Sequence, residues 1–584
     1  MLADYLISII YAISLVAFSV NVILIRRSNN KIDFILWAPI HFMIIVLSQS
    51  LICGFFYLLN FNISIINISI VLFVLTIFLF INNKKNDIQR YSFSLTNLLI
   101  FIGFFLVTVF ICFKRFSLGL LPNFVSVDAT AHIKYAYSVL NENIVGTNMF
   151  LSSVTEGLIM QFLSPFLNKF LMYKVFIICE VAFLYLSSLL FLSIVLSLSK
   201  KPVYIVGTLI FTLLYMLGYP LYVLEFGFSY LGISVSCVAT IIFLWNFYYS
   251  DNGYRSFIYT ILSLCLVGVG NSYTLFVPEV FLALFICVLI YQRNNDKVIS
   301  KTTLFSLLWI FAFPVIFTLA FSFMNGSEFS SFSGANSGLA EDGGCFNDLY
   351  SSFVILLPLS IYGIVELLNE KKFYSVMLWL ILCVVIFSII LFGLMLIGKA
   401  SIYYCAKNSN LLWLLMCVLN LYAIKKIVCT SARLVCAISA TLLILMGLIW
   451  VSFDSKLLKI NERSITYKTE NFIGIHAWNM NWLKTQHPID DGLISLYENF
   501  YNIKPDNCKT NYIVCGDEYF NSWSVLSQKI PTKVKSGNVL LESVDKNVDN
   551  YLLLYNNDDS INFSDVESKG IVVYENDFGK IVKI

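Results

Sequence analysis

Apolar runs long enough to cross a membrane recur along most of this 584-residue chain, and they restrict its fold more than any other feature. About 20 residues span the hydrocarbon core, where only a helix or a closed barrel satisfies its backbone hydrogen bonds. We predict about fourteen transmembrane helices, at roughly 3–25, 33–57, 64–82, 94–113, 172–198, 202–218, 231–249, 256–270, 274–291, 303–323, 351–368, 373–397, 409–424 and 433–453. Charged residues make up only 12% of the chain, about half the share of a soluble protein. The predicted fold class is therefore an all-α polytopic membrane protein.

The loops between these helices alternate in charge. One set is short and carries Lys or Arg: 26–31, 82–90, 199–202, 250–256, 292–297, 369–372 and 425–426 with Arg433. The other set is mostly longer and mixed: 114–171, 219–230, 324–350, 398–408 and everything after 453. Because basic loops stay in the cytoplasm, we expect both termini and the second set on the outer face of the inner (plasma) membrane.

The composition changes after about residue 453, where Asp, Asn, Lys and Glu become frequent. The segments 550–556 and 570–584 have the apolar, β-branched pattern of short strands, the second with a hairpin turn at Asn576–Gly579. Residues 523–530 are predicted to form a helix. We therefore expect 454–584 to be a small extracytoplasmic α/β domain.

Two cysteines of this C-terminal region, Cys508 and Cys515, lie in a polar context, unlike the cysteines inside apolar runs. They would pair if the region faces an oxidising compartment. Two free thiols are the alternative, and the sequence leaves both open.

The stretch "NFVSVDATAHIKYAYSVLNENIVG", from residue 123 to 146, follows a long apolar run and places Asp128, His132 and Lys134 within seven residues. Apolar residues then recur every three or four positions, at Ile133, Tyr137, Leu140 and Ile144, which predicts an amphipathic helix over 129–144. This helix is too short to span, so we expect it to lie in the membrane interface, followed by a second interfacial helix over 156–170.

Asp128 is then at or near the N-cap of the first interfacial helix, with His132 one turn later. Asp128 is either a functional carboxylate or only a helix cap. His132 is either catalytic or a half-buried residue that faces lipid headgroups. Lys134 is expected to extend toward headgroup phosphates.

Other candidate residues come from two further outer segments. In "GKASIYYCAKNSN", residues 398–410, Lys399, Tyr404 and Lys407 could bind a lipid phosphate, or the lysines could only contact headgroups. In "GYPLYVLEFGFSYLG", Glu225 lies among aromatic residues, and a carboxylate there needs a partner or a wet cavity. Glu279, inside an apolar run, is either a cavity residue or a sign that the helix boundary lies elsewhere.

Several classes of function are disfavoured by what the sequence lacks. It has no P-loop, GxGxxG, HExxH or CxxC motif, which argues against an ATP-driven pump and a zinc enzyme. A net charge of +3 without a long basic tract gives no indication of nucleic-acid binding.

The Gly- and Ser-rich segment 325–348 is either a loop that closes over a cleft or a plain tether.

The pattern "VDATAHIKYAYSVLNENIVG", an acidic residue just past a transmembrane helix and before in-plane helices, resembles the bacterial integral-membrane glycosyltransferases of the C superfamily (GT-C fold). In architecture the resemblance covers the transmembrane module 94–453 with its outer loop 114–171, and residues 1–93 would be additional N-terminal helices. It implies a polyprenyl-phosphate-linked sugar donor, a glycan or lipid acceptor and contact with membrane lipids. Many members carry a paired acidic motif here, whereas this chain has Asp128 alone, so no metal ligand or cofactor is assigned.

For an outer-face transferase of this kind we predict direct displacement with inversion at the sugar carbon, with Asp128 as the general base and His132 as a second catalytic candidate. Lys407, Lys399, Glu225 and Tyr404 are the candidate substrate-binding residues. Alternative functions are a polysaccharide polymerase or ligase, which usually relies on outer-loop arginines, and a lipid-linked-glycan transporter. A transporter should show charges near the membrane midplane, whereas the charges of this chain cluster at the predicted outer boundary.

Overall fold

The structure is a computed structural model. It describes residues 2–26, 31–85, 87–124, 127–142, 149–250, 255–296, 301–324, 356–370, 375–430, 489–503, 510–534, 544–545, 548–558 and 561–584. The predicted helix 433–453, the loop 325–348, Ile144 and Cys508 lie outside these residues.

Helices dominate the first 430 residues. They are α1 (Leu2–Leu24), α2 (Phe34–Leu58), α3 (Ile65–Lys85), α4 (Leu95–Phe116), α5 (Asp128–Leu140), α6 (Phe150–Leu163), α7 (Met172–Leu196), α8 (Pro202–Leu217), α9 (Tyr219–Phe226), α10 (Ser229–Ser250), α11 (Arg255–Ser272), α12 (Val277–Asp296), α13 (Lys301–Leu307), α14 (Phe313–Met324), α15 (Leu357–Asn369), α16 (Val376–Leu396) and α17 (Ile402–Thr430). A π-helical turn (Leu308–Ala312) joins α13 to α14, and the two-residue strands β1 (Ile32–Asp33) and β2 (Tyr91–Ser92) pair in parallel.

Within the described part of the chain, ten helical segments are long and apolar enough to cross a membrane. The prediction of a multi-pass, all-α membrane protein is therefore confirmed, while the total of fourteen spans stays a prediction. Large apolar side chains remain exposed along α1, α3 and α4, as expected for helices that contact lipid. In contrast, α7 and α17 are largely enclosed by other helices.

The helix α6 differs from its prediction. It covers 150–163 instead of 156–170, and eleven of its fourteen residues are buried, so other helices of the protein enclose it. Small residues allow this close packing: a Cβ at Gly157 would lie 2.8 Å from the carbonyl oxygen of Ala136 on α5. Gln161 fixes the other end, since its amide accepts from the backbone N–H of Ile65 and donates to the carbonyl of Ile63, both at 2.9 Å.

Replacing Gly157 with alanine is expected to destabilise the protein by about 1–3 kcal/mol, because the added methyl group overpacks the contact between α5 and α6. The melting temperature of the purified protein would measure this loss. Gly103→Ala is the matched control, since a Cβ at Gly103 meets no atom within 4 Å and alanine favours the helix. Equal melting temperatures for the two variants would contradict the close packing at Gly157.

The C-terminal residues form a mixed five-stranded sheet in the order β4-β3-β5-β7-β6. The strands are β3 (Thr510–Cys515), β4 (Thr532–Val534), β5 (Asp549–Tyr555), β6 (Ile571–Asn576) and β7 (Gly579–Lys583), and the helices are α18 (Asp491–Asn502), α19 (Glu518–Trp523) and α20 (Phe563–Glu567). The predicted strands and the turn at Asn576–Gly579 are confirmed. The predicted helix 523–530 is wrong: Asp517 caps α19, and the following 3-10 turn ends where Gln528 adopts a left-handed backbone.

We call residues 489–584 the C-terminal unit, and it packs on the segment between α4 and α5. The rings of Phe124 and Trp523 stack at 6.2 Å. The side-chain oxygen of Asn123 accepts from the backbone N–H of Ile489 at 2.9 Å. Gln528 donates to the carbonyl of Lys169 at 2.6 Å, just before α7. The C-terminal unit and the Asp128 segment therefore lie on the same side of the molecule. Cys515 is fully buried in β3.

Candidate functional site

Three of the residues selected from the sequence, Asp128, His132 and Lys407, come together in the structure. The Lys407 ammonium donates to the Tyr230 hydroxyl at 2.7 Å, and the His132 ring lies 5.3 Å from the Tyr230 ring. The Asp128 carboxylate interacts electrostatically with the Lys407 ammonium. Residues almost 280 positions apart in the chain thus form one site, which joins the start of α5 to α17.

Four aromatic rings surround the Lys407 ammonium and form what we call the aromatic box. Its nitrogen lies 4.1 Å from the ring centre of Tyr403, 4.6 Å from Phe228, 5.3 Å from Tyr230 and 5.7 Å from Tyr273. Aromatic faces attract a cation, more strongly when water is excluded, and only 6% of Lys407 is exposed. The ring faces therefore favour the charged form of the Lys407 amine, in a mostly apolar environment that disfavours it.

The position of Lys407 corrects the prediction that 398–408 is a loop. Helix α17 begins at Ile402, so Lys407 is in its second turn. The polar residues Lys407, Asn408 and Asn410 are all buried, because this part of α17 faces other helices and not water. A hydropathy profile assigns such polar residues to a loop, because it does not include the hydrogen-bonding and aromatic partners that distant segments supply.

The two neighbouring candidates lie outside the aromatic box. Tyr404 is half-buried and lies beside the box, where its ring contacts that of Tyr403 at 5.4 Å between ring centres. Lys399 is exposed and follows Gly398, whose backbone is left-handed. In the described residues, no contact joins the Lys399 side chain to the box.

The turn between α9 and α10 brings two of the aromatic rings to α5. The segment 219–230 was expected to be a loop, but α9 runs through it to Phe226 and ends at Gly227, with φ of 70°. A Cβ at Gly227 would lie 2.8 Å from the Cβ of Ala129, so only glycine allows this approach. Phe228 and Tyr230 follow directly. Sequence reasoning did not select them, because neither aromatic content nor spacing shows which rings meet a cation.

Asp128 does not occupy the N-cap position. Val127 is the N-cap and has no capping side chain, while Asp128 is the first helical residue and is exposed. A carboxylate in the first turn is still favoured by the helix dipole. Its exposure at the edge of a buried cationic site leaves it accessible to a substrate.

His132 is buried and stays neutral near pH 7. Burial, and secondly the Lys407 ammonium, lower the pKa of His132 from 6.5 to about 3. Neither ring nitrogen has a hydrogen-bond partner among the described residues. The imidazole is therefore available to donate or accept one hydrogen bond at this site, without carrying charge.

The stability of the protein should fall in mild acid because of His132. The unfolded chain protonates this residue near pH 6.5 and the folded protein only near pH 3, so the unfolded state binds more protons between these values. At about pH 5 this amounts to about 2 kcal/mol of lost stability. Melting temperatures of wild type and His132→Asn at about pH 7.5 and pH 5 would test this: the variant should lose less, and an equal loss would contradict the assignment.

Glu225 and Glu279 are both buried, but they lie in different surroundings. Glu225, at the end of α9, interacts electrostatically with Arg115 at the end of α4, and Arg115 was not selected from the sequence. Glu279 is in the first turn of α12 beside Asn408. The predicted span began at residue 274, close to the observed start of α12 at Val277. Glu279 faces α17, the helix that carries Lys407.

A second acidic pair escaped sequence reasoning. Glu156 on α6 and Glu180 on α7 are both buried and interact electrostatically, and Ser229 donates to Glu156 at 3.1 Å. Glu180 and Ser229 line a cavity of about 20 Å³, which is room for about one water molecule. The sequence signal was only a single glutamate within each of two apolar stretches.

Among the residues that the structure describes, no group of three or more His, Cys, Asp or Glu side chains is arranged to hold a metal ion. In comparisons with protein-family models and with curated proteins, no match to this chain is found. The chemistry of the site itself is therefore the basis for assigning a function.

Proposed function

We propose that this protein is an outer-face membrane glycosyltransferase, of the GT-C type that its Asp128 segment resembles. It transfers a sugar from a polyprenyl-phosphate donor to a glycan or lipid acceptor of the cell surface. Nucleotide sugars stay in the cytoplasm, so a transferase on the outer face needs a donor carried by a lipid. Lys407 and Tyr403 of the aromatic box are on α17, one of the helices long and apolar enough to cross a membrane.

The observation that carries this proposal is a buried lysine beside an exposed carboxylate. A buried cation is stabilised when an anion accompanies it, and Asp128 interacts with Lys407 from the edge of the box. The phosphate of a lipid donor would supply a second, stronger partner, because charge-assisted hydrogen bonds to phosphate are short and strong. Lys407 is thus suited to hold the phosphate, and Asp128 to act on an acceptor next to it.

In the proposed reaction, the oxygen of the acceptor hydroxyl attacks the anomeric carbon of the donor sugar. The bond from that carbon to the phosphate oxygen breaks, and its electron pair leaves with the polyprenyl phosphate. Asp128 takes the proton of the acceptor hydroxyl as general base. Lys407 stabilises the charge on the leaving phosphate, and neutral His132 can orient either group through one hydrogen bond. A single displacement inverts the configuration of the sugar carbon.

Surface-glycan composition in a deletion strain, with and without the wild-type protein restored, tests this function. The proposal predicts that one sugar or one branch is missing from the deletion strain and returns on complementation. An unchanged glycan would overturn it. Loss of the whole glycan, with complete lipid-linked units accumulating inside the cell, would instead show a transporter.

A lipid-linked-glycan transporter is the second candidate because of Glu156 and Glu180. Buried carboxylates inside a membrane are expensive and mark ion or proton pathways in transporters. Glu180 is in the ninth position of α7, well inside the span. The sequence prediction that charges cluster only at the outer boundary is therefore incomplete, and this pair is the specific observation in favour of transport.

A further inference from the structure

Arg115 and Glu225 form a buried pair of opposite charges whose polar atoms are unsatisfied. Arg115 is 1% exposed and Glu225 is fully buried. Their charges interact, yet Arg115 Nε and Nη1 and both carboxylate oxygens of Glu225 have no hydrogen-bond partner in the described part of the chain. Buried charges without hydrogen bonds are strongly destabilising, so a ligand or water must satisfy these groups.

The chemistry of the pair selects the ligand. A phosphate would be attracted by Arg115 but repelled by the carboxylate of Glu225, because Glu225 is fully buried and water cannot screen its charge as it screens that of the exposed Asp128. A hydroxyl group suits both, since its oxygen accepts from the guanidinium and its hydrogen is donated to the carboxylate. Two neighbouring hydroxyl groups, as on a sugar ring, would satisfy most of the unpartnered atoms at once.

The C-terminal unit contributes to the same place. The phenol of Tyr519 interacts electrostatically with Arg115, and the Tyr519 ring lies 6.2 Å from Trp523, which stacks on Phe124. Aromatic side chains beside charged hydrogen-bonding groups form an amphipathic surface with an apolar face and polar edges, which matches a sugar ring.

This pair lies close to the aromatic box. Glu225 precedes Gly227 by two residues, and Gly227 contacts Ala129, the residue after Asp128. Phe124 also lies against Gly227, since a Cβ there would be 3.5 Å from its ring. One short segment, 225–230, therefore connects the two places. Glu225 at its start belongs to the charged pair, and Tyr230 at its end accepts a hydrogen bond from the Lys407 ammonium.

We propose that Arg115 and Glu225, with Tyr519 of the C-terminal unit as a wall, bind the hydroxyl groups of the donor sugar, while Lys407 binds its phosphate. This inference rests on the proposed function and assigns the C-terminal unit a role in sugar selection. It divides the donor between two subsites that separate substitutions can test.

The test measures binding to the full-length protein in lipid nanodiscs. The probes are a short-chain polyprenyl phosphate and its glucosyl, galactosyl, mannosyl, N-acetylglucosaminyl and arabinosyl esters. Wild type should bind at least one ester about tenfold or more tightly than the bare phosphate, because hydrogen bonds to charged groups are among the stronger ones. The variants Glu225→Gln and Arg115→Gln should lose this preference while their affinity for the bare phosphate is unchanged.

Matched controls keep the result interpretable. Lys114→Gln removes an exposed charge next to Arg115 on the same helix and should retain the sugar preference. The double variant Arg115→Gln with Glu225→Gln keeps the net charge of the pair, so it should fold even if a single variant does not. Lys407→Met should weaken binding of every probe.

Each other outcome of the binding measurements would contradict either the sugar subsite or the proposed function. If wild type prefers an ester, and the pair variants keep that preference, the pair holds water only and the inference is wrong. If wild type binds the bare phosphate and all esters equally, the inference fails while the phosphate site remains. If wild type binds no probe, or Lys407→Met binds as wild type does, the proposed function fails and the inference falls with it.

Discussion

Replacing Asp128 with asparagine is expected to reduce sugar transfer by at least about a hundredfold, because a positioned general base contributes roughly 10²- to 10⁴-fold to such a reaction. Asparagine preserves the size of the side chain but cannot accept the proton of the acceptor hydroxyl. Asp128 is exposed and is not the N-cap of α5, but its carboxylate accompanies the buried Lys407 ammonium, so the substitution should also lower stability. The loss of transfer is therefore measured per amount of folded protein.

The measurement is the surface-glycan composition of the deletion strain that expresses Asp128→Asn at the level of wild type. One sugar should remain absent. Glu142→Gln is the matched control, because Glu142 is an exposed acid just beyond the other end of α5, and this variant should restore the glycan. Full restoration by Asp128→Asn would show that the carboxylate only stabilises the helix, and the transferase mechanism would be lost.

The second large effect is expected for Lys407→Met, which should lower transfer by about a hundredfold or more, as removal of one group that stabilises developing charge does in other enzymes. Methionine fits an apolar, aromatic environment, so the helix packing should survive. Lys407→Arg should rescue poorly, because the four rings lie within 6 Å of the ammonium and the planar guanidinium is larger.

An assay of purified protein in proteoliposomes, with a polyprenyl-phosphate sugar and an acceptor, would measure this loss as a rise in KM and a fall in kcat. Lys425→Met is the control on the same helix, since Lys425 is at the opposite end of α17 and its ammonium lies over the ring of Tyr422. Transfer by Lys407→Met at the rate of wild type would remove the phosphate site from the proposal.

The transferase and transporter hypotheses separate at Glu180. In a transferase, the Glu156–Glu180 pair takes no part in the reaction, and its role is confined to the packing of α6 against α7 and α10. In a transporter, the pair takes part in every cycle. The variants Asp128→Asn and Lys407→Met test only the transferase hypothesis, because both residues belong to the site at the aromatic box.

The sequence by itself determined those features that depend on neighbouring residues. Apolar length predicted the spans, since about 20 residues must cross the bilayer whatever surrounds them. The spacing of Ile133, Tyr137 and Leu140 predicted the buried face of α5, because helical period is local. The same holds for the hairpin at Asn576–Gly579. Asp128 and His132 could be selected because one turn of a single helix joins them.

Only the tertiary structure decided where polar residues inside the bundle belong. Lys407 was assigned to a loop and Glu156 to the membrane surface, because a window of hydropathy treats every polar residue as one that needs water. In the structure Lys407 lies in the aromatic box and Glu156 beside Ser229, with partners from segments far away in the chain. Arg115 and Glu225 meet for the same reason. Such pairings depend on how helices pack, and no local pattern records which helices will be neighbours.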